Sequence, residues 1–525
     1  MPSLNSAVRP FLAVGLSLYV TLTMGAQSNL PTGSGKSSDA DEARIHRIEA
    51  TVVDMPMGEN GPALRLDLLK LMQLYKVPGL SFAVIDNFQI VCVRTYGVIE
   101  AGLSTPVTPQ TLFQAGSISK PVAATGALYL VQQGSLLLDE DVNRTLKTWK
   151  VPENEFTTKE KVTLRRLMSH SAGVTVHGFP GYDVQDPVPT LVQIFNGEKP
   201  ANTSPIRVDL VPGTQVRYSG GGVTIEQQLM MDVTGKSFPD LMREIVLDKI
   251  GMADSSYEQP LPPRRASMTA SGTYADGKVV LGRWHIYPEM AAAGLWTTPT
   301  DLSKFAIEIA LSERGKSNRV LSEKMTRQML APALEEAGLG FFLDKANPGQ
   351  FGHNGADEGF QALLTMNAES GKGVAIMANS DNGISVGGFL LERVAKEYDW
   401  NYRSPEPGAL RMLVLIAKVK GAQAALQRYS ELKNSGSAKY KVEEGTLNGL
   451  GYTLLSSGQT QDAIAVFQRN VREHPKSANV YDSLGEAYMK AGQKELAIQN
   501  YEMSLHLDPK NQNAIDSLKK LNQTK

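Results

Sequence analysis

The chain of 525 residues is short of several things, and each shortage closes off a class of answer. It has one cysteine, Cys92, so no disulfide can form within the chain. Cys92 lies in the strand-like run Gln89-Ile90-Val91-Cys92-Val93-Arg94, where a small buried hydrophobe is expected rather than a thiol nucleophile. Charge of either sign is not in excess: 53 Lys and Arg stand against 54 Asp and Glu, for a net charge of −1. That balance offers no basic footprint for nucleic acid or an acidic membrane surface. The seven histidines form no His-x-x-x-His or Cys/His pattern, so neither a metal nor another cofactor is expected. The apolar run Phe11–Val20 is too short and too interrupted to read as a membrane-spanning helix.

That run has a better reading. Arg9 precedes it and Gly25-Ala26 supplies small residues for cleavage, so residues 1–26 are expected to be an export signal. A periplasmic or secreted protein follows, with an uncleaved N-terminal anchor as the alternative. No cysteine follows the run to accept a lipoprotein anchor. Residues 27–61 read as linker and lead-in, the part to residue 42 being rich in Ser, Gly and Asp. Gly33-Ser34-Gly35-Lys36-Ser37 imitates the end of a P-loop, but Leu30 stands where the pattern needs glycine and no strand precedes it, which excludes nucleotide binding there.

A chain of this length suggests about three domains at ~150 residues each. Hydrophobic content of 42% and charged content of 20% fit a packed globular core. Residues 62–404 read as one unit. A helix is expected over Pro62–Tyr75, then strands at Leu80–Ile85 and Gln89–Tyr96. Mostly helical sequence follows from Ser117 to about Ser312. Strand signals return at Gly359–Met366 and Gly373–Asn379, and a helix is expected over Val386–Tyr398. Strands at both ends with helices between predict an α+β fold, one antiparallel sheet with an inserted helical part.

Residues 405–525 read differently. Gly451 and Gly485, Gly458 and Gly492, Ala463 and Ala497, Phe467 and Tyr501, and Pro475 and Pro509 are each separated by 34 residues. That period identifies tetratricopeptide repeats, an all-α stack of helix pairs, with a degenerate unit at 408–433 and a capping helix near Asn513–Leu521. A protein or peptide partner is expected at such a stack.

The chemistry gathers around Phe113-Gln114-Ala115-Gly116-Ser117-Ile118-Ser119-Lys120. Pro121 fits only a first turn, so a helix must begin near Ser117, and Gly134 ends it. Ser117 and Lys120 then share one side of a helix N-terminus, where the dipole and the ammonium both favour negative charge on the serine oxygen. Ser-x-x-Lys also occurs at Ser430 and Ser517, so the tetrapeptide alone decides nothing. Its companions do: Ser169-His170-Ser171-Ala172-Gly173, Tyr218-Ser219-Gly220, Gly294-Leu295-Trp296-Thr297, and His353-Asn354-Gly355-Ala356.

With these blocks in this order, residues 65–400 resemble the serine β-lactamase and penicillin-binding-protein superfamily, nearest its class C β-lactamase, DD-peptidase and esterase branch. The resemblance implies a β-lactamase-like fold, with Ser117 as acyl-accepting nucleophile and Lys120 as adjacent base or proton shuttle. Tyr218 matches the tyrosine of the family's Tyr-x-Asn element, with Ser219 beside it. His353, Asn354 and Gly355 match its Lys/His-x-Gly element on the strand lining the cleft. The backbone N–H groups of Ser117 and Ala356 would form the oxyanion hole. Either Lys120 or Tyr218 could be the base, and His353 could bind a substrate carboxylate if protonated or donate a hydrogen bond if neutral. His170 reads as structural.

The chain departs from that pattern at Gly220, where the family commonly has asparagine. Losing that amide removes a polar anchor for β-lactams and peptides and favours an esterase or a peptidase of altered specificity. The reading is an exported serine hydrolase acting on a β-lactam, a D-amino-acid peptide or an ester. The alternative is a weak or inactive hydrolase fold serving as a binding module, its repeats carrying the function.

Overall fold

The computed structural model describes residues 38–57, 63–402, 408–435 and 440–523. The expected export segment, 1–26, lies outside the described residues. Among the described residues no helix is long and apolar enough to cross a membrane.

Order begins earlier than the sequence suggested. Helix α1, Asp39–Ala50, and strand β1, Val53–Pro56, occupy part of the expected linker. The polar composition hides the helix, but Ser38 caps it by accepting from the Asp41 N–H at 3.1 Å, and Ile45 and Ile48 are fully buried three residues apart. The helix expected over 62–75 is also corrected. β2, Ala63–Leu66, pairs with β1, and Asp67 then caps the shorter α2, Leu68–Leu74.

The main sheet is built from both ends of the domain, as the strand pattern predicted. β3 (Gly79–Asp86) and β4 (Gln89–Gly97) come from the N-terminal side. The later strands are β5 (Phe342–Leu343), β6 (Gln350–Asp357), β7 (Phe360–Asn367) and β8 (Lys372–Ala378). The order is β4-β3-β8-β7-β6-β5, antiparallel throughout. Both faces of the central strands are covered, which explains their nearly continuous apolar sequence. Leu80, Phe82, Val84, Val374 and Ile376 face one core, and Ile85, Ala362, Leu364, Ala375 and Met377 the other. Cys92 is buried on β4, and burial pushes its thiol up to about 12.

The second core holds α3, Ser119–Gln132, and the inserted helical region, including α4 (Leu191–Asn196), α5 (Gly220–Thr234) and α6 (Pro299–Glu313). The first is covered by α1, α2 and α7, Gly383–Glu397. It does not stop there. α8 (Ala409–Lys420), α9 (Ala422–Ser435), α10 (Glu444–Ser456), α11 (Thr460–Glu473), α12 (Ala478–Lys490), α13 (Lys494–Leu507) and α14 (Gln512–Gln523) continue the same apolar cluster. α8 buries every residue from Met412 to Ala417, so that most of its circumference is covered, the mark of a helix sandwiched between layers. The separation at residue 405 expected from composition is therefore not a break in the core.

The 34-residue spacing has a packing cause. A methyl group on Gly451 would meet the Phe467 ring at 2.5 Å, and one on Gly485 would meet the Tyr501 ring at 3.1 Å. Each glycine lets the next helix of its pair lay an aromatic ring against the backbone, and the contact recurs one unit later.

Candidate active site

Ser117 sits in a short turn, Gly116–Ile118, that runs directly into α3. Gly116 has φ +51°, and a side chain there would strike the backbone of Ala356 at 2.4 Å. Ser119 ties the turn together: its hydroxyl donates to Gly116 O at 2.6 Å and accepts from the Leu295 N–H at 3.0 Å. The Tyr257 hydroxyl donates to Ser119 O at 2.7 Å. These anchors were not singled out in the sequence, although Ser119 lies inside the motif.

Lys120 is buried, with 3% exposure. Its ammonium donates to Ser117 Oγ at 2.8 Å and to Ala292 O at 2.7 Å. The second partner comes from a four-residue helix, Met290–Ala293, that packs against α3. Desolvation pulls the Lys120 ammonium down to about 7, against the opposing fields of Asp357 and Glu226. Those carboxyls are themselves pushed up by burial, Glu226 to about 8 and Asp357 well above its usual range. Glu289, also buried, is raised to about 8. Acids that resist ionisation beside Lys120 do not lock it in the charged form. Sequence spacing held no sign of this group, because its three acids come from separate elements.

Tyr218 faces Ser117 from the residue before Ser219, the N-cap of a helix over Gly220–Thr234. Its ring lies 4.3 Å from that of His170, 4.8 Å from His177, 6.0 Å from His353 and 6.2 Å from Phe342, with the Lys120 nitrogen 5.0 Å from its centre. Burial raises the phenol to about 12, outweighing the hydrogen bond from Ser117 that favours the phenolate. The hydroxyl therefore stays protonated at neutral pH, which weighs against Tyr218 as the base. His170 has φ +55°, and its Nδ1 accepts from the Ser219 N–H at 3.2 Å. That supports its structural reading and fixes the ring under Tyr218.

Ser219 needs correction as a substrate contact. Its buried hydroxyl donates to Thr175 O at 2.8 Å and accepts from the Gly222 N–H at 2.9 Å. Capping the helix leaves it nothing to offer a substrate. His353 needs correction as a carboxylate clamp. Its Nδ1 is 2.5 Å from Asn354 O, which can only accept, so this nitrogen carries the proton. Burial, then the nearby Lys120 charge, pulls the ring down to about 3. It is neutral at any ordinary pH.

Strand β6 brings the remaining residues past Ser117. Along it His353, Gly355 and Asp357 are buried while Asn354 and Ala356 are exposed. A side chain on Gly355 would collide with Ala115 O at 1.9 Å and approach the Ser117 nitrogen at 3.3 Å. Only glycine lets the strand run this close, and the closeness sets Ala356 and Ser117 side by side. The arrangement places a neutralisable amine on a serine hydroxyl, next to two backbone segments able to receive an oxyanion.

The Beta-lactamase family model matches residues 68–398, well over half of the chain. The chain belongs to the Beta-lactamase family. This Beta-lactamase-family chain is 29% identical over 235 residues to a β-lactamase of Pseudomonas fluorescens, covering 44% of the chain and 60% of that protein's length. It is 26% identical over 326 residues to penicillin-binding protein 4 of Amycolatopsis lactamdurans, covering 58% and 81%. The fold is similar to the octameric penicillin-binding protein homologue from Pyrococcus abyssi, with a TM-score of 0.50 and 23% identity over 63% of this chain and 77% of that one. It also resembles the D-alanine carboxypeptidase AmpC from Burkholderia cenocepacia, with a TM-score of 0.50 and 19% identity over 63% and 96%.

Gly220, where the family pattern commonly has asparagine, has φ outside the left-handed region. The obstacle to a side chain is Phe179, whose ring would lie 3.0 Å from a Cβ, with His177 O at 3.2 Å. Gly220→Asn alone is expected to lower the melting temperature, and Gly220→Asn with Phe179→Ala to recover most of it. If the double variant gains activity on a cephalosporin relative to a short aryl ester, the missing amide is a cause of specificity. An unchanged ratio in a folded double variant counts against that cause.

Proposed function

We propose that this protein is a serine hydrolase that forms an acyl-enzyme on Ser117. The observation that carries the reading is the 2.8 Å contact between Ser117 Oγ and a buried Lys120 whose ammonium is pulled down to about 7. Lys120 in its neutral form takes the Ser117 proton as the oxygen attacks the acyl carbon. Tyr218, held protonated, donates to the developing charge and relays the proton held on Lys120 to the leaving group, so that both end the acylation step as they began. The N–H groups of Ser117 and Ala356 receive the oxyanion. Water then releases the acyl group by the reverse proton path.

The substrate class best supported is an ester or amide that does not depend on a carboxylate clamp. The neutral His353 gives no charge to a carboxylate, and Phe179 and Gly220 replace the polar anchor for an acyl amide. The C-terminal helices are read as tetratricopeptide repeats that brace the outer layer and present a groove to a protein or peptide. An exported location rests on residues 1–26. The ordered Ser117–Lys120 pair favours an enzyme over a binding module that has lost its chemistry.

Trapping with a fluorophosphonate or a fluorescent penicillin, followed by peptide mass mapping, tests this reading. The adduct is expected on the peptide holding Ser117, and an adduct on any other serine overturns it. The pH dependence is a second check. A general base works when deprotonated, so kcat/KM for a neutral ester should rise with pH through about 7 and then level. A limb near the ordinary lysine value, or none between pH 5 and 9, removes Lys120 from that role.

A further inference from the structure

A cavity of about 230 Å³ lies away from Ser117, where β1, α7 and α8 meet. Its charged lining includes Asp54, Glu392, Arg393, Lys396 and Arg411. The two arginines are unusual in how they are held. Arg411 stacks its guanidinium 3.6 Å above the Phe389 ring and gives Nη1 to Glu392. Arg393 gives Nη2 to Glu397 at 2.7 Å and, weakly, to Arg47 O at 3.5 Å. Each is thus gripped at one end of its fork. Arg393 Nε and Arg411 Nη2, both buried, have no acceptor among the described residues.

A buried donor without an acceptor costs free energy, and an arginine cannot escape that cost by losing its proton. The neighbouring carboxylates do not meet the need. Asp54 pairs with Arg65 at 3.4 Å, Glu397 with Arg47 at 2.8 Å, and Glu392 with the other nitrogen of Arg411. Arg47, Arg65, Arg393, Lys396 and Arg411 outnumber Asp54, Glu392 and Glu397, so the region has a surplus of positive charge. Surplus charge, unused fork nitrogens and a cavity coincide at one place.

We propose that this cavity binds a compact oxyanion, a phosphate or carboxylate group, between Arg393 and Arg411 with Lys396 at the rim. Charge-assisted bonds from guanidinium to such oxygens are among the stronger polar contacts available. The geometry gives the site a consequence. Arg393 belongs to α7 of the hydrolase region and Arg411 to α8 of the C-terminal helices, so one anion would tie the two regions together.

The test uses the full chain with inorganic phosphate, followed by calorimetry and thermal melting. Sodium chloride at matched ionic strength is the control. Saturable binding and a phosphate-specific rise in melting temperature are expected. Arg393→Gln and Arg411→Gln should each weaken binding by about tenfold or more, while turnover of a small ester is unchanged. Lys396→Ala, on an exposed side chain, should weaken it about threefold with no folding cost, which keeps the test valid if an arginine variant fails to fold. Acetate displacing phosphate assigns the site to carboxylates as well, and acetate failing to do so assigns it to phosphate. A response equal to that of chloride, or phosphate binding that ignores all three substitutions, overturns the proposal and leaves water as the partner of those nitrogens.

Discussion

Ser117→Ala should abolish covalent labelling and lower acyl turnover by a factor on the order of 10⁶, a loss of the size seen when an activated serine nucleophile is removed. The fold should be unaffected. Ser117 is only partly buried, and its hydroxyl accepts one bond from Lys120, which keeps Ala292 O as a second partner. The turn is held by Ser119, Leu295 and Tyr257 rather than by Ser117. Circular dichroism and the melting temperature should therefore match the parent while the acyl-enzyme peak vanishes from the mass spectrum. Residual turnover within a factor of about ten would mean that another group carries the reaction. The paired substitution Ser119→Ala should behave differently, since it removes the bonds to Gly116 O and the Leu295 N–H and so loosens the turn. Its loss should appear partly in the melting temperature, which separates holding the turn from doing chemistry.

The parts of this site that could be read from the sequence are those set by local geometry. Ser117 and Lys120 are three residues apart at a helix start, and Pro121 and Gly134 mark that helix without outside help. The strands β3, β7 and β8 showed through because both of their faces are apolar, and the edge strand β4 because of its apolar run Ile90–Val93. The helical pairs showed through because Gly451 and Gly485 repeat the same close approach to an aromatic ring. What stayed hidden depends on residues far apart in the chain. Asp357 and Glu226 tune Lys120 only once separate elements converge, and Glu289 acts in turn on Asp357. The neutrality of His353 depends on burial and on the nearby Lys120 charge, which together outweigh the hydrogen bond to the Asn354 carbonyl. Ser219 looked available because its motif is catalytic, but its position as an N-cap spends its hydroxyl. α1 was missed because ten of its twelve residues read as polar or small while two isoleucines do the packing.

Ending the chain at residue 404 should destabilise the hydrolase region rather than release it as a competent module. Composition suggested independence, with a proline-rich stretch and a change to repeats. The packing argues otherwise, because α8 lies in the same apolar cluster as Tyr75, Phe389, Leu390 and Val394. Arg411 covers Phe389 at 3.6 Å and Lys418 covers Tyr75 at 4.6 Å. Lys76 donates to Ser457 O at 3.1 Å in the C-terminal helices and to Asp276 O at 2.9 Å in the hydrolase region. Removing the helices would wet two or three large side chains, each worth about 1.5–3 kcal/mol when buried. A loss near 5 kcal/mol is comparable with the whole stability of a domain, and at about 2–4 °C per kcal/mol it lowers the melting temperature by at least ~10 °C. Residues 27–404 should therefore melt early or aggregate, with ester turnover falling in step with the folded fraction. Melting curves and steady-state kinetics of the two chains on one small ester decide the matter. Equal melting temperatures with equal kcat and KM would show that the C-terminal helices only rest against the hydrolase. A truncated chain that is stable but altered in KM would place those helices in the path of the substrate.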